Sequence, residues 1–363
     1  MSLGQIYITF ARNAVLNSMT EKFVPTYRWN LSDLSKVEKN GLKVFSCFAC
    51  GGGSTMGYKL AGFDVIGANE IDPEMAWHYK TNHNPKYYYL EDIRKFKTRI
   101  DLPEDLFNLD ILDGSPPCSS FSMAGAREKG WGEKKQFREG QAHQVLDDLF
   151  FEFIDVGNKL RPKVIIAENV KGMLIGNAKG YVKQIIQLYN SIGYDVQLFL
   201  LNAASMGVPQ KRERVFFICS RKDLKFPKLN LFFNQKHITL GEAIADCIDE
   251  KGKDLTGSAL KKYYDVCHPG KSLSSTNSKG SYFNWYKLNK NEVCPTLTAT
   301  GAQQNLLRWD TMHCLTDKQV CLIGSYPLDY KFKSSPGYMI GMSVPPLMTY
   351  GIAFQIKNQW FKS

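Results

Sequence analysis

Between residues 42 and 220 the chain alternates short apolar runs with stretches that place an apolar residue every three to four positions. LKVFSCF (42–48), DVIGANE (64–70), LDILDG (109–114), KVIIAEN (163–169) and RVFFICS (214–220) predict buried strands, most of them bounded by glycine or a polar residue. TMGYKLAG (55–62), PEMAWHYKTN (73–82) and VLDDLFFEFIDVGNKL (145–160) have helical spacing. Strands alternating with helices predict βαβ units, hence an α/β fold with a doubly wound, mostly parallel, Rossmann-like sheet. Ligands of such sheets bind at the carboxyl ends of the strands.

The pattern changes after Asp223. Residues 226–325 are loop-rich, basic and aromatic, with Ser, Thr, Asn and Gly clusters, and predict a second, smaller domain. Residues 1–225 then form the main domain, with 1–40 as a helical or irregular extension. Residues 326–363 end in SVPPLMTYGIAFQIKNQW, an apolar helical pattern expected to return to the main domain. No repeats are evident.

Composition sharpens this picture. Apolar residues make up 44% of 363, enough for a sizeable core, and the net charge of +11 points to a polyanionic partner, most often nucleic acid. No secretory signal or membrane-length apolar stretch is present, so a cytoplasmic protein with no membrane contact is expected. Nine cysteines without regular spacing fit a reducing compartment. Cys47 and Cys50 form a lone CxxC with no second ligand pair, so no metal is expected.

FACGGGSTMGYKLAGF (48–63) follows a strand and opens a helix, a place where glycines let the backbone approach a ligand and where the helix N-terminus offers free N–H groups. Glu70 ends the next strand, where an acid commonly bonds ribose hydroxyls. Asp92, in YYYLEDI, follows a possible third strand and is placed to accept a bond from an adenine amino group. Each carboxylate has a plainer reading as a solvated residue or helix cap. These residues suit an adenosyl or dinucleotide ligand without separating NAD from S-adenosylmethionine.

The other half of the chemistry lies in LDGSPPCSSFSMAG (112–125). Pro116 and Pro117 fix φ at two residues and remove two donors, so Cys118 is presented with little backbone freedom. A nucleophilic thiol needs that rigidity and a favoured thiolate. IIAENVKGM (165–173) puts Glu168 at a strand end, on the same rim if its strand is parallel to that of Cys118. VPQKRERVFF (208–217) spaces Arg212 and Arg214 two apart, so that both project to one face. The plainer readings are a buried structural thiol and a solvated strand edge.

PPC with FSMAG, then ENV, then QKRER, all after a glycine-rich turn, resemble the DNA (cytosine-5) methyltransferases of bacterial or phage restriction-modification systems over roughly residues 42–356. The resemblance implies that Cys118 attacks C6 of a cytosine and that Glu168 bonds N3 and the exocyclic amine. It gives Arg214 the O2 carbonyl, with Arg212 in support. The base must be flipped out of the duplex. The implied cofactor is S-adenosylmethionine, lined by Phe48, Ala49 and Gly53, held by Glu70 and Ile71, and met by Asp92, Ile93, Pro117 and Leu149, with Ser343 and Val344 matching the family near the C-terminus.

The implied partner is double-stranded DNA. Ser119, Arg127, Lys134 and Arg138 belong to a loop that closes on it, together with Lys129 and Lys135, and Thr296 stands at the end of the recognition region. A cognate endonuclease in the same system would need no direct contact, and a monomer is the simplest expectation. The sequence departs from the family at four places: Cys50 stands for a glycine, Met342 for an asparagine, and Gln319 and Leu322 for a Glu and an Arg that tie the small domain. Competing readings are a tRNA-directed relative of the same fold, a catalytically silent DNA binder, and an NAD oxidoreductase. The last leaves PPC, ENV and QKRER without a purpose.

Overall fold

A computed structural model describes residues 23–117, 134–135, 144–145, 148–175, 178–277, 280–299 and 305–361. The main domain begins with β1 (Lys43–Cys47), α1 (Gly53–Leu60), β2 (Asp64–Glu70), α2 (Pro73–His83), β3 (Tyr87–Leu90), α3 (Ile93–Thr98) and β4 (Ile111–Gly114). Two short antiparallel strands, β5 (Lys134–Lys135) and β6 (Gln144–Val145), precede α4 (Leu149–Leu160). β7 (Val164–Val170), α5 (Ala178–Ser191), β8 (Tyr194–Asn202) and β9 (Glu213–Arg221) follow.

Seven of these strands form one sheet in the order β3-β2-β1-β4-β7-β9-β8. All run parallel except β9, which is antiparallel to both neighbours. The expected α/β, mostly parallel sheet is therefore present. The reversal of β9 was not legible in its apolar run, which fits either direction. β8 was not marked in the sequence because it lies at the sheet edge: Leu198 and Leu200 are 37% and 43% exposed, so it has no continuous buried run.

Both faces of the sheet are covered, which explains why its strands read as apolar runs rather than alternations. Val44, Ile111, Val164, Ile166, Phe216 and Ile218 pack on one face, where α1 lies against α10 (Pro346–Trp360). Phe45, Leu112, Ile165, Ala167 and Phe217 pack on the other with Phe96, Phe153 and Ile185 of α3, α4 and α5. The C-terminal segment thus completes the first core, and Trp360 stacks on Phe226 at 5.2 Å.

The second core is small. It gathers Leu260, Tyr264, Cys267, Leu273, Leu307, Met312 and Cys314, with Leu255, Tyr263 and Trp285 against them. A three-stranded sheet of β10 (Lys271–Ser272), β11 (Tyr286–Lys287) and β12 (Leu306–Leu307) frames it. Leu229, α6 (Leu240–Ala243) and α8 (Asp317–Ile323) contribute to the main core instead. The segment that holds its own core is therefore about residues 255–314, inside the 226–325 expected from composition.

Candidate active site

The turn after β1 is strained and tightly held. Phe48, Cys50 and Gly52 take φ of 53°, 48° and 86°, a region that disfavours side chains by about 1–2 kcal/mol per residue. Holding it there are Cys50 N, which donates to Glu70 Oε2 at 2.7 Å, and the Gly51 carbonyl, which accepts from Tyr330 OH at 2.6 Å and meets His83 Nε2 at 3.1 Å. Burial pushes the His83 pKa down to about 3, so its ring is neutral and Nε2 donates. A Cβ at Gly52 would lie 2.3 Å from His83 Nε2, and one at Gly53 would lie 2.4 Å from the Val344 carbonyl. Both glycines are therefore required by the packing of the protein on itself.

That turn forms one wall of a cleft of about 810 Å3, open to solvent. Phe48, Glu70, Ile71, Asp92, Ile93, Pro117 and Leu149, all named in the sequence analysis, line it. Ala49, Gly53, Ser343 and Val344 stand behind the wall, all buried. Cys50, Asn69, Asp72, Met75, Glu91, Ser115, Tyr338 and Met342 also line the cleft. Several of these flank residues already marked at strand ends, whereas Tyr338 and Met342 arrive from α9 (Gly337–Met342), which only the tertiary fold brings there.

Glu70 is fixed by the backbone around it. Its Oε1 accepts from Ile71 N at 2.8 Å and Asp72 N at 2.9 Å. Burial pushes its carboxyl up, and these amides oppose the shift. Asp92 has both of its readings at once: it caps α3 through Arg94 N at 2.8 Å, pairs with the Arg94 guanidinium at 3.1 Å, and still lines the cleft. Four acidic residues line this space and, among the described residues, no Lys or Arg does.

The thiol-bearing turn leaves β4 beside β7. Asn169 Nδ2 donates to the Pro116 carbonyl at 3.0 Å and so pins the turn that leads to position 118. The ENV motif thus has a second working residue that sequence reasoning passed over. Cys118, Ser119, Arg127 and Arg138 lie outside the described residues, and Lys134 is described only as part of β5.

Glu168 stands near the end of β7, and Arg214 pairs across the ladder with Val170. Arg214 Nε lies 2.9 Å from Glu168 Oε1, with the side chains only 15% and 12% exposed. Burial lowers the Arg214 pKa, and the Glu168 charge works against that. Arg212 takes a different task. It is 1% exposed and donates to the carbonyls of Leu297 at 2.9 Å and Gly341 at 3.0 Å, while its buried Nε has no partner. Burial and the neighbouring Arg214 bring its pKa down to about 9. Thr296 Oγ1 donates to the Lys211 carbonyl at 2.5 Å, and Gln210 Oε1 accepts from Leu297 N at 3.0 Å. The QKRER segment is therefore stitched to the Thr296–Leu297 segment of the second domain's end.

The departures from the family pattern now have physical contents. Cys50 occupies a left-handed position, partly buried against Met75 with Sγ to Sδ 3.4 Å, and desolvation pushes its thiol up to about 12. Met342 is 41% exposed on the cleft. Gln319 is fully buried and donates to the carbonyls of Cys247 at 2.7 Å and Glu250 at 3.1 Å, while Leu322 sits in the main core. An amide and an apolar side chain at these two positions leave no unpaired buried charge.

Comparison with known proteins agrees with this geometry. The family model described as C-5 cytosine-specific DNA methylase matches residues 42–358. The type II methyltransferase M.NgoPII of Neisseria gonorrhoeae is 38% identical over 224 residues, covering 60% of this chain and 61% of that protein. M.FnuDI of Fusobacterium nucleatum is 30% identical over 357 residues, covering 87% of this chain and 94% of its own. Among solved structures, a chain described as a DNA modification methyltransferase encoded within an E. coli prophage superposes with a TM-score of 0.68 at 21% identity, over 89% of this chain and 100% of that one. At that identity it bears on the fold alone. The match over 42–358 spans both domains and every motif of the rim: the chain belongs to the C-5 cytosine-specific DNA methylase family.

Proposed function

We propose that this protein methylates C5 of a flipped cytosine in a specific double-stranded DNA sequence, with S-adenosylmethionine in the cleft and Cys118 as nucleophile. The observation that carries the reading is the largely buried Glu168–Arg214 pair on the rim where the Pro116–Pro117 turn leaves β4. An acid and a guanidinium side by side match the two edges of a cytosine, N3 with its amine and the O2 carbonyl.

The cleft fits an adenosyl sulfonium better than a dinucleotide. A pyrophosphate would face Glu70, Asp72, Glu91 and Asp92 with no lining cation among the described residues, whereas a positively charged ligand is attracted by the same four acids. Glu70 is preset by three backbone amides to accept from ribose hydroxyls, Asp92 and Ile93 meet the adenine edge, and Phe48, Pro117 and Leu149 supply apolar contact. When bound, the cofactor supplies an electrophilic methyl group. The chain supplies the rest. Cys118 adds to C6 while Glu168 and Arg214 hold the ring, Arg212 fixes the segment on which Arg214 rides, and loss of the C5 proton with elimination returns the thiolate.

Net charge of +11 and the basic residues Arg127, Lys134 and Arg138 suit a DNA backbone, and Thr296 lies beside the rim on the recognition side. The relatives named type II methyltransferases support a sequence-specific DNA target. No helix among the described residues is long and apolar enough to cross a membrane.

The test is expression in a host without cytosine methylation, followed by bisulfite sequencing, together with trapping on 5-fluorocytosine DNA. Protection of one short motif and a denaturation-resistant adduct lost in Cys118→Ala are the expected results. Protection confined to tRNA would move the substrate to RNA, and a missing adduct would remove the thiol from the reaction.

A further inference from the structure

Beneath the cleft lies a charged group that the proposed reaction does not use. Asp113, in β4, is 5% exposed. Its Oδ2 accepts from Ser46 Oγ at 2.8 Å and Ser54 Oγ at 2.7 Å, and its Oδ1 from Tyr58 OH at 3.0 Å. Ser46 is its direct neighbour across the ladder in β1, while Ser54 and Tyr58 lie one turn apart on α1. Among the described residues no Lys, Arg or His forms an ion pair with it. Three hydroxyls hold it instead.

Such a group needs a reason. An apolar side chain of similar size would fit a sheet interior at less cost than a carboxylate without a cation. Its place in the fold offers one. Ser115, the first residue past β4, lines the cleft, and so does Phe48, the first past β1; each lies two residues beyond Asp113 and its ladder neighbour Ser46. Two strand residues span about 6–7 Å. The carboxylate therefore stands just below the floor of a site read as binding a sulfonium.

We propose that Asp113 is a buried counter-charge that makes the cleft prefer a cationic adenosyl sulfonium over the neutral thioether left after methyl transfer. The inference rests on the cofactor reading given above. Tight binding of the donor and easy release of the product then follow from one fixed charge, since transfer removes the positive charge and nothing else near it changes. Burial pushes the carboxyl up to about 6 and the three hydroxyls oppose that shift, so it is mainly ionised at pH 7.5. The titratable groups around it are Cys47 on β1, Tyr58 on α1, Tyr79 on α2 and Glu168 on β7, none of them cationic.

Calorimetric titration of the full chain with S-adenosylmethionine and with S-adenosylhomocysteine, without DNA, tests this. In Asp113→Asn the dissociation constant for the sulfonium should rise about tenfold, as expected for one charge at this range in a medium of intermediate dielectric, while that for the thioether changes less than threefold. Equal weakening of both ligands, or no change in either, overturns the proposal. Failure of the unaltered protein to bind either ligand overturns the cofactor reading instead. If circular dichroism shows Asp113→Asn unfolded, Asp113→Ser, which leaves a hydroxyl among the three donors, decides the same comparison.

Discussion

Glu168 and Arg214 meet at 2.9 Å although they are 46 positions apart and lie on strands that run in opposite directions. Were β9 parallel to β7, its first residues would lie at the amino rim and Arg214 would be a strand length away from Glu168. The reversal of one strand assembles the pair proposed to hold the base. Removing the guanidinium leaves a largely buried carboxylate without its partner, a change that costs up to about 3–5 kcal/mol. Arg214→Ala should therefore shift the urea midpoint strongly downward and abolish methyl transfer. A variant that unfolds at the unaltered midpoint would show that the pair is not held as described.

Glu70 accepts three backbone amides, and each charged hydrogen bond is worth about 1.5–3 kcal/mol when made. Glu70→Ala frees the turn that carries Cys50 and removes the acceptor assigned to the ribose. The expected outcome in calorimetry is a 10- to 100-fold weaker cofactor affinity, with thermal stability reduced as well. Unchanged affinity would take Glu70 out of the site.

Asp113 gives a pH signature in stability. Its carboxyl titrates near 6 in the folded chain against an ordinary value of 3.8, so the folded state keeps a proton that the unfolded chain has already released. Its contribution therefore falls as pH rises from about 4 to about 6 and is constant above that, a loss of about 3 kcal/mol in all. Denaturation of the unaltered protein and of Asp113→Asn across pH 4–8 should differ by this slope. Parallel curves would mean that the carboxyl is not buried in the manner seen.

Gly53 leaves no room for a methyl group, with the Val344 carbonyl 2.4 Å and Ser343 Cβ 2.8 Å from where a Cβ would be. Overpacking of this kind costs about 1–3 kcal/mol. Gly53→Ala should lower the melting temperature by several degrees and weaken cofactor binding through the displaced turn. A melting curve that superposes on the unaltered one would count against the packing.

The basic segment between Cys118 and Leu149 is assigned to phosphate contact. Each phosphate contact contributes about 0.9 to the slope of log affinity against log salt. Replacing Arg127, Lys134 and Arg138 together by Ala should reduce that slope by up to about 3 in a DNA titration between 50 and 200 mM salt, with cofactor affinity unchanged. An identical slope would leave those cations as solvated charges.

Much of the site was legible because strand ends carry it. Phe48, Glu70, Asp92 and Pro117 each follow or end an apolar run, and all of them line the cleft. Asn169 was passed over because an amide beside a marked acid has no distinct signature until its acceptor, the Pro116 carbonyl, is known. Arg212 and Arg214 read as a matched pair, yet one grips backbone carbonyls at the domain junction and the other grips Glu168, a division that spacing does not encode. Asp113 reads as the end of a strand before a glycine, and nothing local says that three hydroxyls from two other elements will surround it.

The sequence by itself determined the alternation of buried strands and helices, the rigid diproline before Cys118, and the order of motifs that marks the family, because periodicity and turn chemistry are local properties of the chain. Tertiary structure alone decided which way β9 runs, that α9 closes one side of the cleft, and that the glycines at 52 and 53 answer to His83 and Val344. Those facts depend on contacts between segments far apart in the chain, where burial and the need to satisfy each polar group choose among arrangements that the local pattern leaves equal.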